Sequence, residues 1–233
     1  MGYVSVRGIT IHSIPYKEKD KILVIFTDKL GKIKAKIRSV RSVSSRRSGL
    51  GDEFLYETML LYRKAGYYTI TEVKLNSAFL NAKSNFGSYI LFAYIRELVI
   101  LLTGYEQSDI RLFNLILDTL RYADKGYHPK TLTVYFVLHF LRISGNPVNI
   151  LSKQVNTVYF SPEEDGFNLL DGASVDGSYM ETARYLYSTN LKDLKEVENA
   201  GGLLELLNNF IYYHTGSRHF VNFVEMIHKL DNI

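Results

Sequence analysis

Residues 28–47 read DKLGKIKAKIRSVRSVSSRR. Lys32, Lys34, Lys36 and Arg38 alternate there with Ile33, Ala35 and Ile37. A strand turns successive side chains to opposite faces, so this spacing sets four cations on one face and three apolar groups on the other. Neighbours on one face lie about 6–7 Å apart, which makes a ladder of charge. A Ser/Arg-rich segment with Arg41, Arg46 and Arg47 follows, and no acid intervenes before Asp52. A cationic ladder joined to a cationic loop suits a polyanion strand better than a small ligand. The competing reading of the ladder is a solvated edge strand whose lysines guard against aggregation.

The flanks of this stretch read as a meander of five strands. Val4, Val6, Ile9, Ile11 and Ile14 form a first strand whose apolar phase slips near Gly8. After the polar turn KEKD (17–20), KILVIFT (21–27) is apolar enough for the centre of a small barrel, and residues 28–31 turn into the ladder. FLYETMLLY (54–62) and YYTITEVK (67–74) complete the set. Five short antiparallel strands, with a longer irregular segment between the third and fourth, fit an OB-type barrel; SH3-like barrels share such patterns. Tyr16 and Tyr62 are candidates to stack on bases, against the alternative that they pack between strands.

From Asn76 the apolar period changes from 2 to 3.6. Helices are expected over 88–103, from an N-cap at Ser108 to Gly126, from His128-Pro129 to Gly145, over 179–188, over 202–215, and over 218–230 after Gly216. The fold class expected is therefore α+β: a five-stranded OB-type β-barrel domain at 1–78 and an all-helical domain at 79–233. The helical domain carries an irregular insert at about 146–178, with one hairpin-like piece, YFSPEEDGF (159–167).

Charge divides the same way. The 233 residues carry a net +4, but residues 1–80 hold 15 Lys/Arg against 7 Asp/Glu, a balance of +8, and the remainder balances at −4. Seven of those fifteen cations fall within 32–47. There is no cysteine, which excludes disulfides, thiolate metal sites and cysteine nucleophiles. The N-terminus reads as a strand rather than a signal peptide, and the most apolar run, 89–103, contains Arg96 and Glu97, so a buried helix and a cytoplasmic protein are expected, with no membrane partner. No phosphate-binding, nucleophile-elbow, zincin or dinucleotide motif occurs. His214 and His219, five apart across a glycine, do not share a helical face, and 163–165 (EED) reads as a solvated turn. Neither an enzyme nor a cofactor is expected.

The order of parts resembles the RecO family of bacterial recombination and repair mediators. The likeness rests on PYKEKDKILVIFTDKLGKIKAKIRSVRSVSSRR (15–47), RKAGYYTITEVKL (63–75), VLHFLRISGNPVNI (137–150) and YYHTGSRHFVNF (212–223). It implies a non-catalytic protein that binds single- and double-stranded DNA and anneals complementary strands. It also implies two protein partners, RecR and the single-strand DNA-binding protein, in loading the recombinase. Lys32, Lys34, Lys36, Arg38, Arg41, Arg46 and Arg47 would contact phosphates. Many family members carry a four-cysteine zinc module between helices; the corresponding stretch here, about 148–171, keeps FSPEEDG without a cysteine, so packing is expected to hold it. The alternatives are an OB-fold module acting on RNA and a non-catalytic scaffold whose basic face meets an acidic protein tail.

Overall fold

The computed structural model describes residues 2–40, 49–153 and 156–217. They form two compact units: residues 1–80 with 98–121, and residues 81–97 with 122–233.

The first unit is built on β1 (Gly2–Tyr16), β2 (Asp20–Thr27), β3 (Gly31–Ile37), β4 (Tyr56–Lys64) and β5 (Tyr67–Ser77). They close on themselves in the order β1-β2-β3-β5-β4, with β1 pairing both β2 and β4. One expectation is corrected: β3 and β5 pair in parallel, not antiparallel. In an up-and-down chain, odd-numbered strands run the same way, so a closure that brings the third against the fifth has to be parallel. The phase slip in β1 is a register shift between Thr10 and His12, two residues later than Gly8.

Inside the barrel, Val6, Leu23, Ile25, Ile33, Ala35, Ile37, Met59, Leu61, Tyr68 and Ile70 make one buried cluster. Ile33, Ala35 and Ile37 thus face inward, as their alternation requires. The β2–β3 turn is closed by Thr27, whose hydroxyl donates to the Gly31 carbonyl (3.0 Å) and accepts from Leu30 N–H (3.0 Å). Gly31 sits at φ 67°, and a Cβ there would lie 1.9 Å from the Gln107 carbonyl oxygen. Only glycine satisfies both the left-handed backbone and that approach.

The helices are α1 (Leu80–Ser84), α2 (Phe86–Leu102), α3 (Ile110–Asp124), α4 (Pro129–Ile143), α5 (Gly177–Ser188) and α6 (Ala200–Thr215). The cap of α3 is Asp109 rather than Ser108: its carboxylate accepts from the backbone N–H groups of Arg111 (2.9 Å) and Leu112 (3.4 Å). In the second unit α4 is buried on all sides from Thr131 to Leu138 and packs against α5 and α6. Pro129 starts it, where a missing N–H costs nothing. Gly216, at φ 65°, ends α6 by donating to the Tyr212 carbonyl (2.8 Å). The helix expected at 218–230 lies outside the described residues.

The second unit is not all helix. The stretch expected to be irregular contains a small antiparallel sheet of β6 (Thr157–Ser161), β7 (Gly166–Asn168) and β8 (Ala173–Asp176), in the order β7-β6-β8. Phe160 and Phe167 meet edge to face at 5.0 Å and are both buried. Asn168 pins the β7–β8 turn: its oxygen accepts from Leu170 N–H and Asp171 N–H, and its amide donates to the Asp171 carbonyl. Strands of three to five residues leave little period to detect, so turn chemistry and two phenylalanines define this sheet.

Candidate nucleic-acid interface

On β3 the outward positions are Lys32, Lys34 and Lys36, and Arg38 follows just beyond the strand. They do not share one environment. Lys32 is buried, and its ammonium donates to the carbonyls of Val99 (3.1 Å) and Ile100 (2.8 Å) near the C-terminus of α2. Carbonyls left unpaired at a helix end attract a cation, which explains why this lysine turns to the helix. Burial, and then the neighbouring Lys34 charge, hold the Lys32 pKa below the usual lysine value. Lys32 is therefore removed from the exposed ladder and becomes a cap.

Lys34 is exposed, with its ammonium 5.2 Å from the centre of the Tyr105 ring. Lys36 is half-buried and pairs with Asp20 at 2.8 Å. That carboxylate, distant from the ladder in the chain, is brought to it by β2–β3 pairing. The Lys36 hydrogen bond, and then one from the Ser39 N–H, lower the Asp20 pKa. Lys36 also lies 5.0 Å from the ring of Tyr16, which is partly exposed. Arg38 is exposed. Arg41, Arg46 and Arg47 lie outside the described residues.

Register extends this face across the barrel. Lys36 pairs with Thr69, Thr69 with Tyr62, and Tyr62 with Tyr3, so one row of outward side chains crosses β3, β5, β4 and β1. Beside it, Lys64 pairs with Tyr67 at the β4–β5 hairpin. Arg38, Tyr62, Lys64, Tyr67, Thr69 and Thr71 line a groove of about 700 Å³ on this face. Reading the strands singly missed Lys64, Tyr67 and Tyr105. The alternation of Tyr62 with Lys64 and of Tyr67 with Thr69 was the available signal; the parallel β3–β5 contact that sets these strands beside the ladder was not, nor was the approach of the loop that carries Tyr105.

The 104–108 loop docks on β3 on the side of Lys34, whose ammonium meets its Tyr105, with Glu106 N–H donating to the Lys32 carbonyl at 2.9 Å. Glu106 accepts two hydrogen bonds from Arg63, each 3.0 Å. Arg63 in turn lies 5.2 Å from the Tyr68 ring centre. Arg63, like Lys32, therefore serves the unit's own structure, leaving Arg38 and Lys64 exposed at the groove and Lys34 exposed on the same outward side of β3.

Residues 1–79 match the family model for the recombination protein O N-terminal region, and residues 84–220 match that for its C-terminal region. The chain belongs to the RecO family. A DNA repair protein RecO of Dehalococcoides mccartyi is 28% identical over 201 residues, 81% of this chain and 79% of the relative. RecO proteins of Caldicellulosiruptor saccharolyticus (22% over 222 residues, 91% of each chain) and Alkaliphilus metalliredigens (26% over 222 residues, 89% and 90%) are also similar. The cysteine module of many RecO proteins has no ligands in this one: the chain has no Cys, and among the described residues no three His, Asp or Glu side chains converge to hold a metal. The sheet of β6–β8 lies within the RecO C-terminal match and is held by Phe160, Phe167 and the Asn168 hydrogen bonds. Among the described residues no helix is long and apolar enough to cross a membrane.

Proposed function

We propose that this protein is a DNA repair and recombination mediator that binds single- and double-stranded DNA on the grooved face of its barrel and anneals complementary strands without a catalytic centre. The observation that carries the reading is the row of outward cations on and beside β3, exposed at Lys34 and Arg38 and joined across the barrel by Lys64. The strand order β1-β2-β3-β5-β4 supports an OB-type barrel, whose faces commonly take oligonucleotides. Membership in a family named for recombination and repair supports the DNA assignment.

In this mechanism Lys34, Lys36, Arg38 and Lys64 meet backbone phosphates and release counterions, and Arg41, Arg46 and Arg47 add to them from the following segment. With about four phosphates engaged on a single strand, log K falls with log salt at a slope of roughly −3. Neutralising phosphates on two strands at once lets complementary strands approach, which annealing requires. The helical part, which has no basic run, is assigned to its protein partners: RecR, and the single-strand DNA-binding protein on coated DNA in the cytoplasm and nucleoid.

The test is annealing of complementary oligonucleotides, bare and precoated with single-strand DNA-binding protein, by the wild type and by the Lys34→Glu, Lys36→Glu double variant. Slower annealing and a shallower salt slope are expected. Unchanged rates and slope would remove the face from the mechanism, and equal affinity for RNA and DNA strands of one length would move the reading to an RNA-binding module.

A further inference from the structure

The groove holds more than a phosphate track needs. Tyr67 is 79% exposed and Tyr3 66% exposed, and Tyr3 lies with its ring centre 5.1 Å from that of Tyr62. A single exposed tyrosine is unremarkable on a protein surface, but these three meet on one face through strand register. Two of them, Tyr62 and Tyr67, line the groove with Arg38 and Lys64, and no carboxylate is among its described lining residues. Thr71, which also lines the groove, donates its hydroxyl to the Leu60 carbonyl at 3.0 Å. Aromatic faces between cations, without an acid, fit a chain of flat groups linked by anions.

We propose that this groove takes unpaired bases of a single strand, stacking them on Tyr67 and Tyr62 while Arg38 and Lys64 meet the flanking phosphates. This rests on the nucleic-acid reading above and adds a division of labour to it. The β3 cations bind phosphates whether or not the bases are paired. The groove acts only on a strand whose base faces are free, because in a duplex each face is already covered by its neighbours. Stacking is tolerant of sequence, since every base has a π-face, so the groove selects single strands over duplexes without selecting a sequence.

The chain contains no tryptophan, so Tyr67→Trp places a unique emitter in the groove. Tyr67 is exposed at a hairpin end, so neither this variant nor Tyr67→Ala disturbs the core. Titration of Tyr67→Trp with short oligothymidylate is expected to quench its emission, and an abasic phosphodiester of equal length is expected to bind without quenching. Tyr67→Ala should lose about fivefold or more in affinity for the oligothymidylate, with the salt slope and the affinity for duplex unchanged. Binding without quenching, or an equal loss for single strand and duplex, would overturn the groove's role while leaving the phosphate reading intact. Failure of the wild type to bind any of the three ligands would overturn both.

Discussion

Lys32 and Lys34 are two residues apart on one strand face, yet they have opposite employment. The Lys32 ammonium neutralises the end of α2, and Lys34 stands exposed. Lys32→Met is therefore expected to lower the free energy of unfolding by about 1–3 kcal/mol, because it takes the ammonium from the Ile100 carbonyl and from the end of α2, while Val99 keeps the Thr103 hydroxyl (2.6 Å), and to leave the salt slope of DNA binding unchanged. Lys34→Met should show the reverse: little change in a urea melt, and a slope shallower by about 0.7. Equal effects on the slope would return Lys32 to the ladder. At the adjacent turn, Gly31→Ala forces a side chain into a left-handed backbone and against the Gln107 carbonyl. A loss of about 1–3 kcal/mol from backbone strain, with the overlap added to it, should appear as a lower thermal midpoint.

At the scale of elements, the small sheet of the second unit depends on one side chain at its β7–β8 turn. Asn168→Ala removes the acceptor for two backbone N–H groups and the donor to the Asp171 carbonyl. The expected result is faster amide exchange in β7 and β8 and a global cost of about 1–3 kcal/mol. Protection in those strands equal to wild type would count against the turn as the element's anchor. Helices α4 and α5 are linked by His139, whose Nε2 lies 3.0 Å from the Leu186 carbonyl and whose ring stacks on Tyr135 at 4.2 Å. Burial is the main cause that lowers its pKa from the usual 6.5, and the charge of Arg142 adds to it. Below pH 6.5 the unfolded chain therefore takes up the proton before the folded one does. Stability is lost as pH falls from about 6.5 toward the folded-state pKa, and it is fully present above that window. In urea melts between pH 7.5 and 5.5, His139→Gln should show a shallower decline than wild type; parallel curves would exclude His139 as the source.

For the molecule as a whole, a net charge of +4 hides a basic first third. That asymmetry predicts the salt response, since four phosphate contacts give a slope of roughly −3. A Lys34→Glu, Arg38→Glu variant should lose binding at physiological salt with little change in thermal midpoint, because both side chains are exposed and neither belongs to the buried barrel cluster. A collapse of the midpoint in that variant would show instead that the cations hold the barrel together.

The sequence by itself determined the strands of the first unit and the helices of the second, because alternation and a 3.6-residue period are local properties of the chain. It also determined which side of β3 is cationic and, by having no cysteine, that no thiolate could hold the 157–176 sheet. The family was legible for the same reason: turns, glycines and helix ends keep their spacing along the chain. Pairing is a property of distant segments, and there the tertiary structure decided. It turned Lys32 from the ladder to a helix end, brought Asp20 to Lys36, and closed β3 against β5 in parallel. That last contact, invisible in any one strand, sets Tyr62, Lys64 and Tyr67 beside the cations and makes a ladder into a groove.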